Sequence, residues 1–388
     1  MTARGLAPSL ALLMTTLALP PALHASRAAI LGDLDGDGWT VADGDCCDEP
    51  GAPCTLPALV NPGAFEAAGD GLDNDCDGTV DNPAPTNCVP TPVLADLTGT
   101  QLAGAMDLCQ LTLPSPPPSG RTWGLISATL ARADGSAPSP PEFFDRQVAV
   151  LADFGTNNLP TANTTMAVFS TGVARDAADP NYVAPDGGLN WASSVTAPLV
   201  VPTACGTNVI PAHDSVLLTL LIRVPTNATA LHFDADFFTA EYPDDCTSNY
   251  NDQAQALVTG LAPGLPPDGN VLLDSVGNPV SAFTAFFEVC LPAAGHTCPS
   301  GPGALTGTGY DLPVGGGAAT AWLTADVPVV PGEELTLRLI LFDGFDGNID
   351  SALLLDHLRW TITPNSVALL FTDGFESGDT TAWSATVP

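Results

Sequence analysis

The sequence predicts a mainly β chain: a large antiparallel β-sandwich behind a small loop module with too little apolar surface for its own core. Three observations carry this. In the middle of the chain Leu231, Phe233, Ala235 and Phe237 alternate with His232, Asp234 and Asp236, the period of a half-buried strand. No long stretch repeats apolar residues at helical spacing, and 38 prolines are spread along the 388 residues, which argues against long helices. Residues 29–88 are instead rich in Asp, Gly, Pro and Cys, and a piece of that composition needs bound ions or disulfides to hold its shape.

In order along the chain, residues 1–28 read as an export signal. Arg4 is the positive start, 6–23 is mostly apolar, and cleavage after Ala25 or Ala28 fits the small residues there. A membrane anchor fits less well, because Pro20 and Pro21 interrupt the run. No later apolar stretch is long enough to span a bilayer, so the expected mature chain is secreted or held at the cell surface. The loop module covers 29–88, and a proline-containing stretch at 82–92 leads out of it. The sandwich covers 93–365. Its strand candidates, besides the one above, are 123–130, 147–154, 216–224, 283–290, 321–327 and the alternating Leu335, Leu337, Leu339 and Leu341. Many short strands between turn signals indicate an antiparallel sandwich. Its length calls for long loops, such as 180–202 and 259–270. The tail, 366–388, is polar and contains FESGDTTAWS, with no apolar span or terminal basic residues.

The formal charge is -34, from 43 acidic and 9 basic residues. All nine basic residues are Arg, and Asp outnumbers Glu by 35 to 8. Such a chain repels nucleic acid and anionic membranes. The absence of Lys excludes a P-loop lysine, a Schiff base and a Ser-x-x-Lys nucleophile. There is no G-x-S-x-G elbow and no H-E-x-x-H helix. His213, His232, His296 and His357 are scattered, and the two in strand patterns, His232 and His357, read as structural. The ten cysteines all lie beyond the signal, and in an exported chain they read as disulfides. None shows C-x-x-C spacing, which disfavours zinc. Connectivity stays open, with local pairs such as Cys290 to Cys298 expected.

Two loops carry chemistry. DLDGDG places Asp33, Asp35 and Asp37 at positions 1, 3 and 5, and DNDCDG does the same with Asp73, Asp75 and Asp77. A glycine at position 6 permits the sharp bend that turns three carboxylates around one hard cation. An EF-hand would need a Glu at position 12; Gly44 and Ala84 stand there, and prolines flank the region. Trp39 and Thr79 occupy position 7, where a backbone carbonyl would ligate. Asp43, Asp45 and Asp48 after the first loop, Asp81 at position 9 of the second, and Glu66 between them can complete the shells. Hard carboxylates favour Ca2+. The competing reading is solvated acidic turns.

The stretch DLDGDGWTVADGDCCDE, followed by NPGAFEAAGDGLDNDCDGTVDN, resembles a metal-binding motif of exported bacterial proteins that runs DxDGDG…DCDD…PGAxE…GxDNDCDG. That motif family carries a copper-binding name, but its matched groups here are carboxylates, which keeps Ca2+ as the expected ion. The chain departs at GDCCDE, where Cys47 replaces an expected Asp, and this opens a disulfide from Cys47 to Cys54. The long region resembles the choice-of-anchor L family of exported bacterial proteins. VLADFGTNN, AVFSTGVARDAADPNY, FDADFFTAEYPDDCTSNYNDQ and WLTADVPVVPGEELTLRLILFDGFDGNIDSALLLDHLRW carry that resemblance. It implies a β-rich secreted or surface domain with no established enzyme activity. FTDGFESGDTTAWS resembles a recurrent tail of exported proteobacterial proteins.

Within the sandwich, Glu241, Asn251, Asp252, Asp346 and Asp350 form a second candidate ion cluster on strand-end loops, with Asp343 and Asp356 in the same acidic stretch. Ordinary polar turns are the competing reading. The functional expectation is an exported, non-enzymatic calcium-binding protein that acts in adhesion or surface interaction, with a surface polymer, glycan or protein as partner. The alternatives are a carbohydrate-active or other hydrolytic enzyme on the sandwich and a structural surface-layer component. An exposed aromatic strip beside the second cluster would favour sugar binding.

Overall fold

The computed structural model describes residues 32–363 apart from 52, 139–143, 188–193, 198–210, 244–249, 293–295, 312–315 and 346. The expected signal at 1–28, the tail, Cys205, Cys246 and Asp346 lie outside the described residues. Twelve strands are described: β1 (Gly124–Ala131), β2 (Val148–Leu151), β3 (Met166–Ser170), β4 (Val195–Thr196), β5 (Pro211–Arg223), β6 (Ala228–Thr239), β7 (Gln253–Thr259), β8 (Val289–Cys290), β9 (Ala318–Ala319), β10 (Leu323–Pro328), β11 (Glu334–Gly344) and β12 (Ser351–Ile362). They form two antiparallel sheets. One runs β1-β5-β11-β7, with β4 also on β5; the other runs β2-β3-β12-β6-β9-β8, with β10 also on β6. The fold is mainly β, as the proline content and strand-period pattern predict.

The inward faces explain the packing. Leu218, Leu220 and Ile222 of β5 and Leu335, Leu337, Leu339 and Leu341 of β11 meet Phe233, Ala235 and Phe237 of β6 and Leu353 and Leu355 of β12 in one buried core. Two helices supplement the sheets. α1 (Gly99–Ala105) starts at Thr98, whose hydroxyl accepts the Gln101 N–H while the Gln101 side chain accepts the Thr98 N–H, a reciprocal cap. It adds Leu102, Ala103 and Ala105 to the core, and Met106 follows directly after it. α2 (Phe144–Gln147) runs directly into β2.

Five strands were not expected: β3, β7 and β12, and the two-residue β4 and β9. Nearly every residue of β3 and β7, and the first six of β12, is buried. The outer face of β3 and β12 is covered too, with Val168 and Leu354 packed under Phe154, Leu305 and Tyr310. Strands buried on both faces lose the alternation by which strands are read. Of the expected strand 283–290 only Val289–Cys290 pairs. Its first part is a turn, because the Ser281 hydroxyl takes the Thr284 N–H and the Thr284 hydroxyl donates to the Pro279 carbonyl. The expected loop 180–202 holds a short 3-10 turn, Pro185–Gly187, and β4 among its described residues.

The loop region lies against the β5–β6 turn. The Thr226 N–H donates to the Gly63 carbonyl at 2.9 Å, and the Thr226 hydroxyl donates to Asn61 Oδ1 at 2.7 Å. The Asn227 side chain binds both backbone groups of Phe65, at 2.9 and 2.8 Å. A Cβ on Gly63 would lie 2.9 Å from Thr226 and 3.1 Å from Trp39, so only glycine admits this approach. The Arg121 guanidinium sits 5.0 Å over the buried Trp39 ring and donates to the Gly38 carbonyl at 2.9 Å.

Candidate metal centre

The two aspartate loops adopt the same backbone path. Position 4 is left-handed in both, as Gly36 (φ 80°) and Cys76 (φ 55°), and so is position 6, as Gly38 (φ 97°) and Gly78 (φ 95°). Position 1 closes each loop on the position-6 N–H and one more: Asp33 accepts N–H bonds from Gly36 and Gly38, and Asp73 accepts them from Asp77 and Gly78. The Cys46–Cys76 disulfide ties one loop to the other, and Cys47–Cys54, Cys88–Cys109 and Cys290–Cys298 are also bonded. The expected Cys47–Cys54 and Cys290–Cys298 pairs are both present.

At the first loop, one carboxylate oxygen from each of Asp33, Asp35 and Asp37 falls within 4.8 Å of the others, and Asp35, Asp45 and Asp48 form a second such group. Asp35 is therefore common to both. Asp48 accepts the Leu34 N–H at 2.6 Å, and Asp45 Oδ1 accepts the Cys47 N–H at 2.8 Å. Asp45 is only 3% exposed, yet its Oδ2, like Asp35 Oδ2, is buried without a hydrogen-bond donor. Burial pushes the Asp45 carboxyl up to about 6 and that of Asp37 to about 7, with like charges adding to it. Orphaned buried oxygens that face like charges suit a cation.

At the second loop, Glu66 joins Asp73 and Asp75 within 4.8 Å. Glu66 also organises the chain around it, since Oε2 accepts the Asn74 N–H at 2.8 Å and Oε1 the Asp81 N–H at 2.9 Å. The remaining candidates are drawn away. Asp43, inside a 3-10 turn, accepts the hydroxyl of its capping residue Thr40 at 2.8 Å. Asp81 Oδ1 accepts the N–H groups of Gly69 and Gly71, so it closes a turn outside the carboxylate group. Asp77 binds the Thr79 N–H and the Asn82 amide. At position 7 the Trp39 and Thr79 N–H groups hold Asp37 and Asp77. Two organising residues escaped the sequence reading. Asn61 reaches Asp37 at 2.8 Å, and the Asn74 side-chain oxygen takes the Ala67 N–H at 2.9 Å.

Of the second candidate cluster, Asp252 and Asp350 are buried at one end of the sandwich. Glu241 Oε2 accepts the Asp252 N–H at 3.4 Å, while Asn251 Oδ1 accepts the Phe283 N–H instead. Asp343 joins this end. Asp356 does not; it binds Thr161 and the Ala162 N–H beside Asp234. His232 bridges Asp326 and Thr361, and His357 meets Asp234 at 3.3 Å.

Two outcomes follow for the loops. A carboxyl whose folded pKa is raised stabilises the fold at low pH, and that contribution is lost as pH rises through the folded value. With Asp45 at about 6 and Asp37 at about 7, the metal-free loop region is expected to melt higher at pH 5 than at pH 8. Metal competes with those protons and reverses the slope. Melts at both pH values with and without metal check this, and a metal-free chain that gains stability toward pH 8 contradicts it. Secondly, Asp75→Ala is expected to weaken metal binding at the second loop by about 100-fold. Asp81→Ala leaves the carboxylate group whole and lowers the melting temperature instead. Equal losses of affinity in calorimetry would show that Asp81 is a ligand.

Residues 57–82 match the protein family described as "Putative metal-binding motif", whose short name refers to copper binding. The match takes in the second loop and Glu66 and stops short of the first loop. No curated protein sequence matches the chain. Among solved structures, the K2 cleaved adhesin domain of Lys-gingipain is similar at 10% identity and a TM-score of 0.24, over 61% of this chain and 89% of that one. The K3 adhesin domain of Lys-gingipain from Porphyromonas gingivalis W83 gives 12% and 0.23, over 60% and 90%. The enzymatically active domain of bacteriophage CBA120 tailspike protein 4 gives 10% and 0.21, over 70% and 22%. Scores this low do not establish a common fold.

Proposed function

We propose that this is an exported calcium-binding protein that works by surface interaction rather than catalysis. The observation that carries the calcium reading is the first loop, where the oxygens of five carboxylates gather and the buried Oδ2 atoms of Asp35 and Asp45 have no donor. The donors are hard, which favours Ca2+. Copper fits less well, because residues 57–82 contain no His or Met and their single cysteine, Cys76, is disulfide-bonded. Oxidised cysteines suit a compartment outside the cytoplasm, in line with a signal at 1–28. On this reading 29–88 is an ion-fastened module, and 93–365 is a sandwich of the choice-of-anchor L kind. Among the described residues no helix is long and apolar enough to cross a membrane.

The surface-interaction reading is supported at the acidic end of the sandwich. Tyr250 and Phe345 are 39% and 47% exposed, and their rings meet edge-on at 5.6 Å. A solvent-facing aromatic pair is a stacking platform for a sugar ring or an apolar side chain. The carboxylates beneath it are sealed from solvent, which favours a binding surface over a hydrolytic cleft. The test is calcium calorimetry on the disulfide-intact full chain, followed by a screen of glycans and surface polymers with and without Ca2+. No calcium heat would sink the metal reading. Turnover of a polymer without stable retention would sink the binding one.

A further inference from the structure

Five strands share a pattern on their inward faces. On β11 the inward residues Leu335, Leu337, Leu339 and Leu341 are followed, two positions on, by Asp343. On β7 the inward Ala254, Ala256 and Val258 are preceded at the same spacing by Asp252. On β3, β6 and β12 the same rows end in Thr171, Thr239 and Ser351. The pairings Ser351 with Thr239, Ala352 with Ser170, and Phe342 with Gln253 bring these ends together. The apolar core therefore stops at a layer of oxygen-bearing side chains, all buried.

Two details build this layer. β5 carries an extra residue opposite Phe342, and Asp214, at φ 46°, sits in that bulge; bulges re-aim side chains in this way. Asp350 packs against Gly172, where a Cβ would lie 1.7 Å from its Oδ2. Asp252 links the sheets, accepting the Gly344 N–H at 3.2 Å and the Ser351 hydroxyl at 2.5 Å.

Asp343 is the group this network leaves over. It is 1% exposed, and neither of its oxygens receives a hydrogen bond. The Thr171 hydroxyl and the Asp252 carboxyl lie beside it, without completing a bond of ordinary geometry. The charged groups acting on it are Asp252, Asp350 and Asp214, all of its own sign. Burying one uncompensated ion is costly. A leucine, as at the four preceding inward positions, would seal the core without that cost.

We propose that this layer is a second cation site, in which Asp252, Asp343 and Asp350 draw in around a hard divalent ion that clamps one sheet to the other; without the ion their oxygens do not all meet within 4.8 Å, as those of the loop groups do. The site stands independently of the aspartate loops. Two ligands come from the β7 and β11 ends of one sheet and the third precedes β12 of the other, so the ion would close the end of the sandwich that bears Tyr250 and Phe345. The competing account is a proton shared among the carboxyls with no metal.

The experiment uses the full chain with its loops disabled (Asp35→Asn, Asp45→Asn, Asp73→Asn and Asp75→Asn). Bound calcium is counted by atomic emission after equilibrium dialysis at about 1 mM free Ca2+, the range of extracellular sites. The expected result is one retained ion per chain, lost when Asp343→Asn is added. Zero ions in the loop-disabled chain overturns this site and leaves the loop reading untouched. Melting supplies a second readout. Asp343→Asn is expected to raise the melting temperature in EDTA, by removing a buried charge, and to abolish the further rise that Ca2+ gives its parent. An equal calcium shift in parent and variant also overturns the site. If Asp343→Asn does not fold, Asp252→Asn gives the same two readouts.

Discussion

Replacing Asp45 by Asn is expected to weaken metal binding at the first loop by about 100-fold or more, and to stabilise the metal-free chain. The two effects have one cause. Asp45 is buried, its Oδ2 has no donor, and Asp35 and Asp48 bring like charge to it. Without an ion, that arrangement is repulsive, and the carboxyl responds by holding its proton up to about pH 6. With an ion, the same three carboxylates attract it together. Asn keeps an oxygen for the Cys47 N–H at 2.8 Å, so the local turn survives while the charge is lost. Calorimetry on the full chain reads the first effect, and a melt in chelator at pH 8 reads the second. An Asp45→Asn chain that binds calcium normally, or melts lower in chelator, would place Asp45 among the turn-forming aspartates beside Asp43.

That distinction marks how far the sequence can be read. Spacing shows which carboxylates are near one another along the chain. It does not show which are already committed to backbone N–H groups. Asp43, Asp77 and Asp81 look like ligands in the sequence, and each is taken up instead by a backbone or hydroxyl donor, from Thr40 and Thr79 close by in the chain and from Gly69 twelve residues back. Asp45, Asp48 and Glu66 look no different, and they do join the carboxylate groups. The sandwich shows the same limit. β6 and β11 were legible because a polar face alternates with the core in part of each. β3 and β12 were not, because a second layer under Phe154 and Tyr310 buries their other face.

The acidic end of the sandwich was legible only in part, for a related reason. Asp343 follows a leucine row in strand register, so it belongs to the core, but Asp beside Gly344 reads as a turn. Asp214 is placed by a bulge that no local pattern announces. Glu241 and Asn251 were drawn into the candidate cluster by proximity in sequence, yet Asn251 serves the Phe283 backbone. Parity along a strand, carried one step past its last apolar residue, is the signal that would have moved Asp343 from a strand-end loop into the core.

Converting both Cys46 and Cys76 to Ala is expected to unravel the loop region in the absence of metal while leaving the sandwich folded. The region's own apolar cluster is Cys47, Val60 and Leu72, whose burial falls far short of the backbone entropy lost on ordering the loops. Hydrogen bonds from Glu66, Asn61 and Asn227 and the packing of Trp39 and Phe65 against the sandwich offset much of the difference. What is left is small enough for one cross-link to decide. The Cys46–Cys76 bond closes a sequence separation of 30, worth about 3–4 kcal/mol by chain entropy. It also fixes the second loop, with its Glu66, Asp73 and Asp75, against the first. Amide hydrogen exchange on the full chain separates the two parts. Protection is expected to vanish at the backbone N–H groups of Asn61, Asn74 and Asp81 and to persist along β5, β6 and β11, and added Ca2+ should restore part of it. Unchanged protection at those three amides would mean that docking on the β5–β6 turn, and not the cross-link between the loops, holds the region together.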